Sequence, residues 1–290
     1  MGFCTRHHLS VVLLLAASTA LATDHGLLAV HTTRPPTIDG VADDPVWNDT
    51  PAITSRDPVA HIDIELRAAH DGEHLYLLAR FPDPTEDRQH KTLVWDPAKA
   101  RYRTGPERED TLVLKWNMEP FPADLTLTSD DEYLADLWFW KAQRTDPVGY
   151  ADDKLQRYTR TAGEHGTPRI SKSGQAFYLF RDADAGDSAY ELLTYGGRGR
   201  DREPKYRNRQ PSGSRADIRA KGAWKEGVWT VEFQRKLVTG HGDDLQLVRG
   251  GSYEFGVSRY EIAGRDSEPE NPASTYGAGE VGPLLQLRIQ

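Results

Sequence analysis

Residues 61–81, "HIDIELRAAHDGEHLYLLARF", decide the fold. Apolar residues occupy every second position from Ile62 to Ala68 and again from Leu75 to Phe81. Asp71 and Gly72 lie between the two runs, and both residue types favour tight turns. Because successive side chains of a strand point to opposite faces, the pattern predicts a β-hairpin with one buried face.

The same period of two appears in residues 110–118, "DTLVLKWNM", where it places Leu112, Leu114, Trp116 and Met118 on one face. Further strands are predicted at Gln175–Arg181, Val228–Gln234, Ser252–Tyr260 and Leu284–Ile289. Gly, Pro and Asp clusters separate them, and no long stretch repeats apolar residues at helical spacing. The sequence therefore predicts an all-β fold, a single immunoglobulin-like or jelly-roll β-sandwich.

Two segments, residues 130–168 and 196–222, do not follow the strand rhythm, and we expect them to be long loops. The first contains Trp138, Phe139, Trp140 and Tyr150, and is too aromatic for a disordered linker. We therefore expect it to be functional. The second is polar and rich in arginine, which is typical of a solvated loop.

The N-terminus reads as a secretory signal peptide over residues 1–22, with a basic segment, a short apolar run and small residues before Ala22. Cleavage near Ala22 would leave residues 23–290 as one periplasmic or secreted domain. The apolar run is about half of the roughly 20 residues that a membrane span needs, so no membrane span is expected. Cleavage would also remove Cys4, the only cysteine, which excludes disulfides, Cys-ligated metal centres and covalently attached haem.

Composition and motifs exclude several function classes. The formal charge of −8 argues against nucleic acid as the main partner. The chain lacks the motifs of hydrolases and nucleotide-binding proteins, so we do not expect it to be an enzyme by itself. Adjacent aspartates at 43–44, 130–131, 152–153 and 243–244 are interpreted as turn-formers.

Met118 is the one methionine besides Met1. A thioether is a soft ligand that suits haem iron or copper, although a lone core methionine more often serves packing. From the residue alone, both interpretations stay open.

Five segments together resemble the ethylbenzene-dehydrogenase-type haem-binding domain family. In chain order they are "PTIDGVADDPVWNDTPAI", "AAHDGEHLYLLARFPDP", "EDTLVLKWNM", "DLWFWKAQRTDPVGYADD" and "WTVEFQRKLVTGHGDDLQL". The resemblance spans almost the whole mature length. The first segment alone is weak evidence, because "IDG...D..W" also opens family 9 carbohydrate-binding modules.

The resemblance implies a β-sandwich like that of family 9 carbohydrate-binding modules, with long loops. It also implies an exported b-type cytochrome domain that holds one noncovalent haem b and exchanges electrons with a redox partner. In the family that partner is a molybdenum oxidoreductase related to dimethyl sulfoxide reductase, and a cytochrome c is the other candidate. Haem iron in the family is held by one methionine and one lysine, which match Met118 and Lys236, and Trp138 and Trp140 could pack against the porphyrin.

The lysine assignment has a competitor and a geometric difficulty. Alternation from Trp229 places Lys236 on the face opposite the apolar residues, so the strand would have to end or bulge at Arg235-Lys236 for the amine to reach the iron. The amine would also have to lose its proton. Lys141 is the competing candidate.

Phe139 departs from the family, since many relatives carry a histidine at this point and some have a Cys-containing haem-attachment insert before it. A second, covalent haem is therefore not expected. The alternative function is a haem-free sandwich that stacks a sugar or another ligand on Trp138, Trp140 and Tyr150. A third is a structural subunit that docks a catalytic partner.

Overall fold

A computed structural model describes residues 1–2, 26–58, 60–259 and 281–290. The predicted signal peptide therefore lies outside the described residues, except for its first two. The strands are β1 Gly26–His31, β2 Ile53–Arg56, β3 Asp63–His70, β4 His74–Pro82, β5 Leu93–Asp96, β6 Arg101–Thr104, β7 Thr111–Asn117, β8 Tyr133–Lys141 and β9 Asp152–Thr159. They continue with β10 Thr167–Ile170, β11 Ala176–Ala183, β12 Tyr190–Leu192, β13 Arg202–Glu203, β14 Tyr206–Asn208, β15 Arg219–Lys225, β16 Val228–Lys236, β17 Ser252–Ser258 and β18 Leu285–Ile289. Helix α1 is Pro45–Asp49, and 3₁₀ turns form at Asp146–Val148 and Gly213–Ala216.

Thirteen strands form one continuous sheet in the order β10-β11-β9-β8-β7-β17-β18-β1-β3-β4-β16-β15, with β2 paired to β3. Strands β8 and β16 are far apart along this sheet, yet Trp140 contacts Trp229 with ring centroids 4.9 Å apart. Trp138 likewise approaches Phe233 at 6.4 Å. The sheet thus folds over itself into two layers, which confirms the predicted all-β sandwich.

The predicted hairpin is present as β3 and β4, in antiparallel register. Its turn is fixed by Asp71, which accepts hydrogen bonds from the backbone N–H groups of Glu73 and His74 and from the hydroxyl of Tyr76. Burial opposes ionisation of Asp71, but these hydrogen bonds outweigh it and lower its pKa to about 2.

Near its turn the hairpin is buried on both faces, so the expectation of one buried face was wrong there, while Arg80 at the far end is exposed as expected. Its second face presents Tyr76 and Leu78, which are buried against Val46 and Trp47 of α1. The N-terminal segment that carries α1 therefore forms an extra layer outside the sandwich.

Glu232 on β16 ties this N-terminal segment to the sheet. Its Oε2 accepts the backbone N–H of Gly40 at 2.8 Å and of Asp39 at 3.1 Å. Its Oε1 accepts the indole N–H of Trp47 at 2.7 Å. Anchoring of the N-terminal segment thus accounts for the "IDG...D..W" pattern of the sequence.

The expected loop over residues 130–168 is largely strand, because β8, β9 and the start of β10 run through it. In β8, Trp138 and Trp140 enter the interior, while Leu137 and Phe139 enter a second apolar cluster on the other face. A strand buried on both faces has no alternation, so the sequence pattern hid it. Residues 196–222 hold two short strands, a 3₁₀ turn and the start of β15, as expected for a polar loop.

Across the described ranges, no helix has the length and apolar character needed to cross a membrane.

Candidate functional site

The two predicted haem ligands lie at the same end of the sandwich. Met118 directly follows β7, and its backbone N–H donates to the carbonyl of Leu134 at 3.0 Å. Two residues further along β8, Asp136 binds Arg235 of the opposite layer at 2.5 Å. Lys236 is the next residue, so both ligands flank one edge of the structure, which we call the Met118 end.

The side chains of Met118 and Lys236 do not share a face. The backbone pairing of Met118 with Leu134 continues the ladder of β7, so the period of two places Met118 on the face of Leu114 and Trp116, and the residue is partly exposed. Strand β16 pairs with β4 without interruption from Val228 to Lys236, so no bulge occurs over these nine residues. Because Arg235 is inward, Lys236 is outward, and its side chain is exposed.

Trp138 and Trp140 are completely enclosed, each with 0% exposure. Trp138 packs against Trp116, with ring centroids 5.1 Å apart. The indole N–H of Trp140 donates to Asp146 at 2.9 Å. Contact of either indole with a porphyrin or a sugar would therefore require the core to open.

Tyr150 is partly exposed, but the guanidinium of Arg219 covers its ring at 4.5 Å from the centroid. The same guanidinium donates to the Tyr150 hydroxyl at 3.1 Å. A ligand that stacks on this ring would have to displace the arginine.

Lys141, the competing lysine, faces away from Met118 on the other side of β8. Its ammonium group binds Asp152, which also accepts a hydrogen bond from Arg215 at 2.7 Å. Burial lowers the pKa of Lys141 to about 8, although the Asp152 carboxylate opposes the shift. As an iron ligand, Lys141 would first have to leave this ion pair.

A haem therefore fits the predicted residues in part. Met118 lies at the end of β7 and is partly exposed, and its thioether is a ligand type that haem iron accepts. Lys236 does not face the same space, and the two tryptophans fill the core. The structure thus leaves Met118 partly accessible at one end of the sandwich and Lys236 on the outer surface.

One apolar cleft of about 330 Å³ is formed by residues 122–126, in the loop that follows Met118, and by the segment before β18. Its volume is at the lower end of the range for small-molecule sites. Leu284 and Val281 contribute apolar surface to it.

The sequence interpretation of the aspartate pairs as turn-formers was wrong for Asp152 and Asp153, which are buried in a strand, whereas Asp244 lies in a bend and is also buried. Asp152 and Asp153 belong to β9, where neighbours point to opposite faces. Asp152 therefore meets Lys141 on one side, while Asp153 enters the interior beside Asp136.

Comparison with protein families finds a match of residues 44–268 to the family model described as ethylbenzene dehydrogenase. The curated proteins contain no significant match to the chain.

Among solved structures, a family 9 carbohydrate-binding module from Caldicellulosiruptor kristjanssonii in complex with glucose is similar at 11% identity and a TM-score of 0.40, covering 91% of this chain and 96% of the module. The same module in complex with cellotriose gives 12% identity and a TM-score of 0.39, covering 91% and 94%. A putative carbohydrate-binding protein from Bacteroides uniformis gives 9% identity and a TM-score of 0.41, covering 91% and 98%.

Proposed function

This chain belongs to the ethylbenzene dehydrogenase family, and from that premise we propose that it is an exported protein that binds one noncovalent haem b and exchanges electrons with a redox partner. The observation that carries the proposal is the position of Met118. Its thioether stands half-buried beyond the last inward tryptophan of β7, at the same end of the sandwich as Lys236.

In this proposal Met118 supplies one axial ligand from the end of β7. Lys236 supplies the other if the last residue of β16 turns toward the Met118 end, which would break its pairing with His74 at the strand terminus. A bound haem would supply one-electron redox chemistry, while the protein supplies the ligands and the surrounding apolar surface.

The partner would be a redox protein, either a molybdenum oxidoreductase or a cytochrome c. The formal charge of −8 favours a partner with a basic docking surface, because opposite charges speed the encounter of two proteins. The association rate should then fall as salt is added.

The proposal is tested by absorption spectra of the exported protein, oxidised and dithionite-reduced, with a pyridine haemochrome assay. We expect a Soret band and b-type reduced peaks in the wild type. Met118→Ala should shift or abolish them, and Lys236→Ala should shift them if Lys236 is the second ligand. Lys225→Ala, which removes an exposed lysine at the end of β15, is the matched control and should change nothing.

A spectrum without a Soret band, even after haem is added back, would refute the proposal.

The second candidate, a haem-free subunit that docks a catalytic partner, is favoured by the outward position of Lys236 and by the enclosed indoles. Copurification of this protein, in colourless form, with a large oxidoreductase would support this candidate. A sugar site on Trp140 would make Trp140→Ala lose ligand binding selectively. Because this indole is completely buried, we expect Trp140→Ala to destabilise the fold instead.

A further inference from the structure

Four buried aspartates converge in the interior from separate parts of the chain. They are Asp136 of β8, Asp153 of β9, Asp184 immediately after β11 and Asp244 in the loop after β16, and we call them the aspartate cluster. Carboxylate oxygens of three of them, at positions 136, 153 and 244, all lie within 4.8 Å of one another. The carboxyl group of Asp184 lies against that of Asp153. Each of the four is at most 5% exposed.

The positive charge around the aspartate cluster is too small to balance it. Arg235 reaches it, but one guanidinium nitrogen binds Asp136 at 2.5 Å and another donates to the carbonyl of Leu245. On the other side, Asp217 lies close to Asp244 and is itself paired with His241 at 2.6 Å. The Arg235 guanidinium, with the His241 ring beside Asp244, therefore faces four buried carboxyl groups.

Most oxygens of the cluster also lack hydrogen bonds. Both oxygens of Asp153, Asp184 and Asp244, and one of Asp136, accept no hydrogen bond of acceptable geometry from the described part of the chain. A buried carboxylate without a partner is costly, and natural proteins rarely leave one so. Asp153, at 1% exposure, directs both unpartnered oxygens into the cluster.

Shared protons are the alternative account of this arrangement. Burial raises the pKa of Asp184 and of Asp244 to about 7, so each would hold a proton over part of the neutral range. A protonated carboxyl group is a hydrogen-bond donor, and the carboxyl groups of Asp184 and Asp153 are close enough to share a proton. Two protons would still leave two carboxylates beside the Arg235 guanidinium.

We propose that the aspartate cluster binds one calcium ion. All its ligand atoms are carboxylate oxygens, which suit a hard cation, whereas zinc favours histidine and cysteine. Two oxygens on opposite sides of a calcium ion, each roughly 2.4 Å from it, are separated by about 4.8 Å. The clustered oxygens lie within that separation of one another, so they can surround a single ion.

The ion would join β8, β9 and the end of β11 to the loop after β16, and so link the two layers of the sandwich. Such a site is structural and does not depend on haem. It also gives a role to the second aspartate of "GYADD" and of "GHGDD", the two pairs interpreted from sequence as turns.

The first test uses the full chain after EDTA treatment and dialysis. Addition of 1 mM calcium should raise the melting temperature by about 5 to 10 °C, if the dissociation constant is on the order of 10 μM. Terbium, which replaces calcium, should give indole-sensitised luminescence, because Trp138 pairs with Asp153 across β8 and β9. Calcium should quench that emission by competition.

Asp153→Asn is the diagnostic variant, and Asp182→Asn, which changes an exposed aspartate of β11, is its control. Asp153→Asn should lower calcium affinity at least tenfold, and in EDTA it should melt higher than the wild type, because one repulsive charge is gone. The control should behave as the wild type in both conditions.

The proposal would be overturned if the melting temperature of the wild type changed with neither calcium nor EDTA and no sensitised terbium emission appeared. The carboxyl groups of the aspartate cluster would then be held together by shared protons. Full calcium response in Asp153→Asn would also overturn it. Neither result depends on whether the protein carries haem.

Discussion

Replacing Asp146 by alanine should be among the most destabilising single changes in the chain. This aspartate begins the 3₁₀ turn after β8, and its side chain is 1% exposed. Its Oδ1 accepts the indole N–H of Trp140 at 2.9 Å and the backbone N–H of Gly222 at 2.6 Å. Its Oδ2 pairs with Arg88 at 2.8 Å and with Lys221 at 3.3 Å.

The magnitude follows from these four contacts. Hydrogen bonds to a charged group contribute about 1.5 to 3 kcal/mol each, and Asp146 makes two that are fully buried. Arg88 and Lys221 are each more than a third exposed, so their ion pairs add about 1 kcal/mol or less. We expect Asp146→Ala to cost about 3 to 5 kcal/mol, since it leaves the indole of Trp140 without an acceptor.

The measurement is urea unfolding at pH 7 followed by tryptophan fluorescence, with equal m-values as the check that both proteins unfold in the same way. Asp146→Asn keeps one acceptor oxygen and should lose about half as much stability as Asp146→Ala. Asp182→Ala, at an exposed aspartate, should lose about 0.5 kcal/mol or less. A loss below about 1 kcal/mol for Asp146→Ala would refute the view that this carboxylate joins β8 to β15.

Three further changes test other parts of the fold. The pKa of Asp71 is lowered to about 2 in the folded protein, whereas it is near 4 in the unfolded chain. Its ionised form therefore stabilises the fold by about 2 kcal/mol above pH 4, and this contribution disappears as the pH falls toward 2. Urea unfolding between pH 2 and 6 should therefore show a shallower acid loss for Asp71→Asn, and equal slopes would contradict the assignment. Gly222→Ala would drive a methyl group into the Trp140 indole and should cost about 1 to 3 kcal/mol, seen as a lower urea midpoint and altered near-ultraviolet circular dichroism. Glu232→Gln places an amide N–H against a backbone or indole N–H donor, which should lower the free energy of unfolding by about 1 to 3 kcal/mol. The N-terminal segment should then be cleaved faster by protease, and unchanged cleavage would argue against the anchoring role of Glu232.

The sequence by itself determined the fold class and those strands in which apolar and polar residues alternate. In residues 61–81 and 110–118 the alternation reports which face meets the interior of the sandwich, so the hairpin and β7 could be read directly, although their other faces are also largely covered. It also placed Met118 at the end of an inward-facing series and Lys236 on the outer face of its strand. Both placements follow from the period of two, which needs no tertiary information.

Only the tertiary structure decided what fills the interior. Strand β8 is buried on both faces, so its sequence carries no alternation, and its tryptophans resembled an aromatic loop available to a ligand. The aspartate pairs could not be interpreted correctly either, because Asp153 and Asp244 are 91 positions apart and meet only when the sheet folds over. Burial of a charge depends on which distant residues surround it, and that is a property of the folded chain that local pattern does not contain.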